Sequence, residues 1–200
     1  VLGDGKFPLV LGGEHSITPA ILRGVRAVCE EEIVILHFDA HADLREEYGG
    51  VRDGHASALR RALEIPKTRL VSCGVRNISE EEVAFFEGSD CIDIFWAREK
   101  EKWDRKKLRS LLEGKRIYLT IDVDVFDMSL MPATGTPEPG GLFWEEVLAV
   151  IELAAKAGTI IGADITELAP IKGLHGCDFL VAKLAYSILA YAFLRNFAGD

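Results

Sequence analysis

The stretch Ile33-Val-Ile-Leu-His-Phe-Asp39-Ala-His41-Ala-Asp43 decides the fold, because it joins a buried strand to a cluster of polar side chains. Its first six residues are apolar except for His37 and rich in β-branched types, which favours a strand inside a sheet. Alternate side chains of an extended chain point the same way, so Asp39, His41 and Asp43 are expected on one face. Two carboxylates and an imidazole make a poor core and a good cation site, so we predict metal ligands at this strand end.

Apolar runs like this one recur along the chain and alternate with helical patterns. The strand runs are continuous and do not alternate with polar residues, which is typical of a parallel sheet covered by helices on both faces. The sequence therefore predicts an α/β fold with three layers, α/β/α. It contains no internal repeat, low-complexity tract or linker, so we expect one domain over residues 1–200.

Three other segments place polar residues at or just past the carboxyl ends of predicted strands. They are Gly12-Gly-Glu-His15, Asp122-Val-Asp124 and Glu167. Ligand sites of open α/β sheets lie outside the carboxyl ends of the strands. We therefore expect these three segments to converge with Asp39–Asp43 at one edge of the sheet.

The converging segments contain enough ligands for two metal ions. The candidate ligands are His15, Asp39, His41, Asp43, Asp122 and Asp124. Four aspartates cannot all stay ionised in a partly buried pocket unless cations neutralise them, and one ion would leave the site over-supplied. Imidazole and carboxylate ligands without thiolate favour Mn²⁺, with Fe²⁺, Co²⁺ or Ni²⁺ as alternatives, over structural zinc.

Each motif taken alone has a simpler interpretation. A lone Asp-x-Asp at a strand end is commonly a solvated turn, and His15 by itself is more typical of a hydrogen-bonded structural histidine. The combination of Asp-x-His-x-Asp with a second Asp-x-Asp strand end is much more specific and indicates a metal site. His37 lies deeper in its strand, and we interpret it as a core histidine.

The composition limits the classes of partner. The chain is 48% hydrophobic and 28% charged, as in a globular domain, and its net charge is −9. This charge disfavours nucleic-acid binding and suits a small cationic substrate. No uninterrupted apolar run approaches the roughly 18 residues of a membrane span, and no signal-peptide pattern is present, so we expect a cytoplasmic protein without a membrane partner.

Four motifs distributed along the chain carry a resemblance to a known enzyme family. They are Gly12-Gly-Glu-His-Ser16, Asp39-Ala-His-Ala-Asp43, Asp122-Val-Asp-Val-Phe-Asp127 and Thr134-Gly-Thr-Pro-Glu-Pro-Gly-Gly141. In combination they resemble the ureohydrolases, the arginase and agmatinase family, over nearly the whole chain. The resemblance implies an arginase-like fold with a dinuclear manganese centre. In that family a hydroxide that bridges the two metals attacks a guanidinium carbon, and urea and an amine are released.

The resemblance also implies a role for each matching position. One manganese would be held by His15, Asp39, Asp43 and Asp122, and the other by Asp39, His41, Asp122 and Asp124. Asp39 and Asp122 would bridge the ions, and Asp43 would also orient the hydroxide. His55 matches the histidine that passes a proton to the leaving amine, a step suited to a pKa near neutrality. Glu167 matches the carboxylate that binds the substrate guanidinium.

Three segments look more like those of agmatinases than those of arginases: Asp39–Tyr48, Glu138-Pro139 and Glu167–Ile171. The first carries Glu46 and Glu47 where arginases receive the α-carboxylate of their substrate. An acidic rim suits agmatine or its aminopropyl derivative, although a plain solvated loop is the alternative interpretation. We expect hydrolysis of agmatine to putrescine and urea, with arginase or another ureohydrolase of a guanidino acid or of aminopropylagmatine as the alternative.

Members of this family usually carry a further N-terminal segment, whereas eleven residues precede Gly12 in this chain. We therefore expect an N-terminally short version of the fold, and the resemblance suggests a homo-oligomer, either a trimer or a hexamer. Two other hypotheses remain open. A one-zinc deacetylase of similar fold is disfavoured by His15 and the second Asp-x-Asp pair, and a truncated, non-catalytic metal-binding subunit is favoured only by the short N-terminus.

Overall fold

The computed structural model describes residues 2–193, and in this range six parallel strands form one sheet. The strands are β1 (Leu9–Leu11), β2 (Ile33–Phe38), β3 (Thr68–Cys73), β4 (Ile92–Phe95), β5 (Arg116–Asp122) and β6 (Thr159–Thr166). Their order across the sheet is β1-β6-β5-β2-β3-β4, and every neighbouring pair is parallel. The predicted parallel sheet is confirmed.

Helices cover both faces of this sheet. They are α1 (Thr18–Arg26), α2 (Ala58–Leu63), α3 (Glu80–Glu87), α4 (Arg105–Leu112), α5 (Trp144–Ala157) and α6 (His175–Phe193). Side chains of β2 alternate between the two layers: Ile33 and Ile35 pack with α1, α2 and α3, whereas Val34, Leu36 and Phe38 pack with α4, α5 and α6. The structure therefore has the three α/β/α layers that the sequence predicts.

The register of the strands brings their carboxyl ends to one edge of the sheet. All six residues of β2 are buried, because this strand lies between β3 and β5. Phe38, its last residue, pairs with Ile121 of β5, and Leu11, the last residue of β1, pairs with Ile165 of β6. The segments that follow β1, β2, β5 and β6 therefore begin side by side.

Helix α6 is long and apolar enough, by length and composition, to cross a membrane. The search of the sequence for an uninterrupted apolar run does not detect α6, because the charged residues Asp178 and Lys183 lie within it. One third of the helix is buried, with Leu184 and Ile188 in the core of the domain, and Phe179 and Tyr186 are exposed. A core helix of an α/β domain passes the same test, so length and composition alone do not make α6 a membrane span.

Gly74 lies where β3 leaves the sheet beside the polar edge, and it tolerates no side chain. Its φ is +104°, and a Cβ would lie 2.7 Å from Cγ2 of Val125 and 3.1 Å from the carbonyl oxygen of Asp39. We expect Gly74→Ala to lower the free energy of unfolding by about 2–4 kcal/mol, because it combines a left-handed backbone with overpacking. Urea denaturation followed by circular dichroism measures the loss.

Gly114→Ala is the matched control for this prediction. Gly114 also has a positive φ, +71°, but a Cβ there would meet nothing within 4 Å. Gly114→Ala should lower the free energy of unfolding by only about 1–2 kcal/mol, because it introduces only the strain of the left-handed backbone. Equal losses in the two variants would contradict the role assigned to the contact between Gly74 and Val125.

Candidate metal centre and substrate cavity

The first group of candidate ligands surrounds the ring of His15. This residue begins a 3₁₀ turn after β1, and its side chain is completely buried. Its Nδ1 lies 3.1 Å from an oxygen of Asp39, 3.1 Å from one of Asp43 and 3.6 Å from one of Asp122. Three carboxylates from two other strand ends therefore converge on one ring nitrogen.

The opposite nitrogen of His15 is fixed by a chain of hydroxyl groups. His15 Nε2 lies 2.8 Å from Thr120 Oγ1, and this hydroxyl donates to Asp164 Oδ1 at 2.6 Å. The hydroxyl groups of Tyr118 and Thr18 donate to the other oxygen of Asp164. Because the proton of Thr120 points to Asp164, Thr120 accepts from Nε2–H, and the lone pair of His15 is left at Nδ1.

This arrangement tests whether the residues suit a metal ion. His15 Nδ1 is buried and has no hydrogen-bond partner among the residues that the structure describes. A lone pair that faces three carboxylates is repelled by them unless a cation, or a proton, lies between. Imidazole nitrogen and carboxylate oxygen are the ligand types that divalent transition metals take, so the group suits such an ion.

The second group lies around the ring of His41. Its Nδ1 is 3.0 Å from Asp124 Oδ2 and 3.4 Å from Asp39 Oδ1. The backbone ties the same segments together, because the amide of Ala40 donates to Asp124 Oδ1 and the amide of Asp124 donates to Asp122 Oδ1. Asp39 belongs to both groups, and Asp122 contacts only the first histidine ring.

His37 is the core histidine that its position in β2 predicts. It is fully buried, Nδ1 is 2.9 Å from Ser72 Oγ, and Nε2 is 2.9 Å from Asp39 Oδ2. Both ring nitrogens are engaged, so His37 is oriented to hold the Asp39 carboxylate and not to act as a free ligand.

Electrostatics of the two groups favour a bound cation. Burial and the nearby charge of Asp39 raise the pKa of Asp43 to about 7, and they raise the pKa of Asp122 well above its usual range. Burial opposes the charged form of His41, but hydrogen bonds to Asp124 and Asp39 outweigh it and raise its pKa to about 11. The protein alone therefore retains protons where metal ions would otherwise supply positive charge.

Two acidic residues of the site have a left-handed backbone. Asp43 has a φ of 52° and Glu167 a φ of 63°, a conformation that is uncommon outside glycine. Each residue is held from several directions: the carbonyl of Asp43 accepts from the amides of Leu59 and Arg60, and the amide of Glu167 donates to the carbonyl of Gly13. The strained turns aim both carboxylates at the same edge.

A cavity of about 510 Å³ opens above the two groups of ligands. Its wall is rich in carboxylates and includes Asp43, Glu82, Asp122, Glu138 and Glu167, together with His41, His55, Arg45, Tyr48 and Asn77. Glu167 Oε1 accepts from the amide of His15 at 2.8 Å, which ties the cavity wall to the candidate metal ligands. A cavity with this charge suits a cationic ligand.

The long loop after β5 forms one wall of the cavity, and Arg76 holds it in place. The Arg76 guanidinium donates to the backbone carbonyls of Asp124 at 2.7 Å, Glu138 at 2.9 Å and Pro139 at 3.1 Å. Asn77 donates to Glu138 Oε1 at 2.6 Å, so the carboxylate of this loop is also oriented. A rigid loop therefore presents Glu138 to the cavity.

The acidic rim that the sequence predicts has a different origin in the structure. Glu46 does not line the cavity, because its carboxylate pairs with Arg52 at 3.1 Å, Arg60 at 3.0 Å and Arg61 at 3.1 Å. Hydrogen bonds from Arg61 lower the pKa of Glu46 to about 2. The expected acidic rim of Glu46 and Glu47 is not observed, because neither residue lines the cavity, and the alternative interpretation of this segment as a plain loop fits better. Glu138, in the loop after β5, supplies an acidic side chain instead.

His55 lies on the cavity wall at the start of a 3₁₀ turn, His55–Ser57, with its side chain about half exposed. Glu14 Oε1 accepts from the ring nitrogen Nδ1 at 2.7 Å and from the backbone amide of His55 at 3.0 Å. The hydrogen bond from the His55 ring lowers the pKa of Glu14.

Sequence reasoning missed Glu14, Arg76 and Thr120. Thr120 carries a usable signal, because it lies two residues before Asp122 in β5 and therefore on the same face. Glu14 and Arg76 carry no such signal, because their partners are distant in the sequence. All eight site residues that the sequence singles out lie at this edge or on the cavity wall: His15, Asp39, His41, Asp43, His55, Asp122, Asp124 and Glu167.

Residues 1–191 match the model of the arginase family. Among curated proteins, the chain is 38% identical over 191 residues to the N(1)-aminopropylagmatine ureohydrolase of Synechocystis sp., covering 94% of this chain and 61% of that protein. It is 36% identical over 172 residues to the agmatinase of Halalkalibacterium halodurans, covering 85% and 58% respectively. The chain thus spans about 60% of the length of these relatives.

Solved structures show the same architecture. The agmatine ureohydrolase of Thermoplasma volcanium superposes with a TM-score of 0.81 at 29% identity, covering 98% of this chain and 66% of that one. The arginase of Bacillus subtilis superposes with a TM-score of 0.80 at 26% identity, covering 94% of this chain and 74% of that one. The arginase-like fold implied by the sequence motifs is confirmed.

The hydroxyl beneath His15 gives a prediction about metal binding. Thr120→Val removes the acceptor of Nε2–H and should weaken binding of a divalent metal ion about 10- to 100-fold, because outer partners orient metal-bound histidines. Competition with a fluorescent chelator measures the dissociation constant. Thr120→Ser keeps the hydroxyl and is the matched control, and wild-type affinity in Thr120→Val with a folded circular-dichroism spectrum would contradict the prediction.

Proposed function

The chain belongs to the arginase family, and we propose that it is an agmatinase-like ureohydrolase that converts agmatine to putrescine and urea. One observation carries the proposal: two imidazole–carboxylate groups that share Asp39 lie beneath a carboxylate-lined cavity of about 510 Å³. The names of the relatives support it, because agmatinases and aminopropylagmatine ureohydrolases are among them.

The proposed cofactor is a pair of Mn²⁺ ions. His15, Asp39, Asp43 and Asp122 would hold the first, and Asp39, His41, Asp122 and Asp124 the second. Two such ions would supply Lewis acidity and a nucleophilic water at neutral pH. The absence of thiolate from this donor set supports manganese over structural zinc.

Carboxylates on the cavity wall would recognise the guanidinium group. One oxygen of Glu167 accepts from the amide of His15, which fixes the carboxylate relative to the candidate metal ligands. Within residues 2–193, no hydrogen bond engages its other oxygen. A guanidinium is planar and always charged, and a carboxylate accepts its hydrogen bonds in a defined orientation. Glu138, held by Asn77, would face the positively charged far end of the substrate.

His55 would supply the proton that the leaving group needs. In the reaction, a water oxygen bonds to the guanidinium carbon and the bond from that carbon to the alkyl nitrogen breaks. The electron pair of the broken bond goes to the amine, which must take up a proton to leave. His55 lies on the wall of the same cavity as Asp43 and Asp122, and an imidazole is the side chain most often used for such a proton transfer.

A longer guanidino substrate is the second candidate. The Synechocystis relative is named for N(1)-aminopropylagmatine, which is agmatine with an additional amine-bearing arm. The cavity of about 510 Å³ is of the size usual for small-molecule sites, and its carboxylates suit a second positive charge. Both candidates belong to the same class of reaction, and they differ only in the tail of the substrate.

We expect urea release from agmatine to exceed release from arginine by about tenfold or more in kcat/KM, because arginine brings a carboxylate into an acidic cavity. The protein is stripped with a chelator, reloaded with Mn²⁺ and assayed for urea with both substrates and with aminopropylagmatine. No urea from any of the three, with two metal ions per chain verified by elemental analysis, would contradict the proposed function.

Two single substitutions separate the metal ligands from the proton donor. Asp124→Asn should lower the metal content, because it removes a carboxylate from the group around His41. His55→Asn should leave the metal content unchanged and lower kcat about 10²- to 10⁴-fold, the usual contribution of a general acid. Elemental analysis and the urea assay on the same preparations measure both effects, and loss of metal in His55→Asn would overturn the role of His55.

A further inference from the structure

A single carboxylate oxygen holds His55 at two points. Glu14 Oε1 accepts from the ring nitrogen Nδ1 at 2.7 Å and from the backbone amide at 3.0 Å. The two residues are 41 positions apart, so this contact joins the turn after β1 to the turn that precedes α2. The contact with Glu14 therefore fixes the position of the His55 ring relative to the edge of the sheet, although the side chain is about half exposed.

The contact also selects the tautomer of the ring. An ionised carboxylate only accepts hydrogen bonds, so the proton of a neutral His55 ring lies on Nδ1, and Nε2 is left with a lone pair. The ring of Tyr48 packs edge-on against the His55 ring at a centroid distance of 6.0 Å. This contact limits rotation of the His55 ring from another side. Nε2 is thus the nitrogen that remains for a ligand in the cavity.

Glu14 is itself fixed by its neighbours in the turn. The hydroxyl of Ser16 donates to Glu14 Oε2 at 2.8 Å, so both oxygens of the carboxylate are engaged. The next residue, His15, is anchored by its amide to Glu167 Oε1. A carboxylate held in this way can orient a partner, because its own side-chain freedom is already lost.

We propose that Glu14 is a positioning residue for His55, which holds the ring in its Nδ1–H tautomer and aims Nε2 into the cavity. The inference rests on the proposed function, because it gives Glu14 a role through the proton donor of that reaction. Glu14 does not act as a metal ligand in this role, and it need not contact the substrate.

The first test measures the ring directly and needs no activity. Long-range ¹H–¹⁵N spectra of protein with ¹⁵N-labelled histidine distinguish the two neutral tautomers, and His55→Asn identifies the signal. The wild type should show the Nδ1–H form, and Glu14→Ala should show a mixture in which Nε2–H is prominent. An unchanged tautomer in Glu14→Ala would overturn the proposal.

The second test measures turnover in the Mn²⁺-loaded protein. Glu14→Ala should lower kcat about 10- to 100-fold, with KM and metal content close to wild type, because an orienting partner is lost. Glu14→Gln keeps the shape and a neutral acceptor, so its loss should be smaller, and it replaces the alanine variant if that protein does not fold. Glu30→Gln, an exposed position before β2 at the opposite edge of the sheet, is the matched control.

A double-mutant comparison separates positioning from a general structural effect. In the His55→Asn background, Glu14→Ala should have almost no further effect on kcat, because the group that it orients is gone. An equal loss in both backgrounds would overturn the proposal while leaving the proposed function intact. A wild-type protein that releases no urea would instead contradict the proposed function, and the tautomer measurement would still decide the role of Glu14.

Discussion

The burial of Asp39 is the constraint on which the rest of the structure depends. Its carboxylate is excluded from solvent, and ring nitrogens of His15, His37 and His41 lie within 3.4 Å. Burial opposes the ionised form, but the neighbouring imidazoles, among them His37 hydrogen-bonded to Asp39 Oδ2, hold the pKa of Asp39 well below its usual range. An isolated buried carboxylate would be strongly destabilising, so the strand that delivers Asp39 requires the neighbouring segments to supply compensating groups.

The parallel sheet satisfies this requirement by bringing several strand ends together. Left-handed backbone at Asp43 and Glu167 costs about 1–3 kcal/mol for each residue, and such strain persists only where the surroundings over-determine the conformation. Backbone hydrogen bonds to helix α2 and to Gly13 provide this support. Side chains of a regular sheet alternate between its two faces. The strained turns at Asp43 and Glu167 allow the chain to present carboxylates beyond the edge of the sheet as well.

The parts of the structure that follow from local pattern could be predicted from the sequence. Continuous apolar runs such as Ile33–Phe38 predict buried parallel strands. Strand alternation puts Asp39, His41 and Asp43 on one face, but β2 ends at Phe38 and Asp43 has a left-handed backbone, so their convergence depends on the turn that follows the strand. The pairing of Glu14 with His55 and of Arg76 with the loop at Glu138 spans 41 and 62 positions, so it depends on side-chain conformations in the folded chain. Glu46 was misjudged for the same reason, since three arginines that a linear sequence does not bring together neutralise it.

The turn Gly12–His15 connects parts of the site that have different chemical roles. Its last residue, His15, faces the carboxylates of the first ligand group, and the amide of the same residue binds Glu167 on the cavity wall. The preceding residue, Glu14, holds His55. A shift of this one turn would move a candidate metal ligand, a carboxylate of the cavity and an imidazole together.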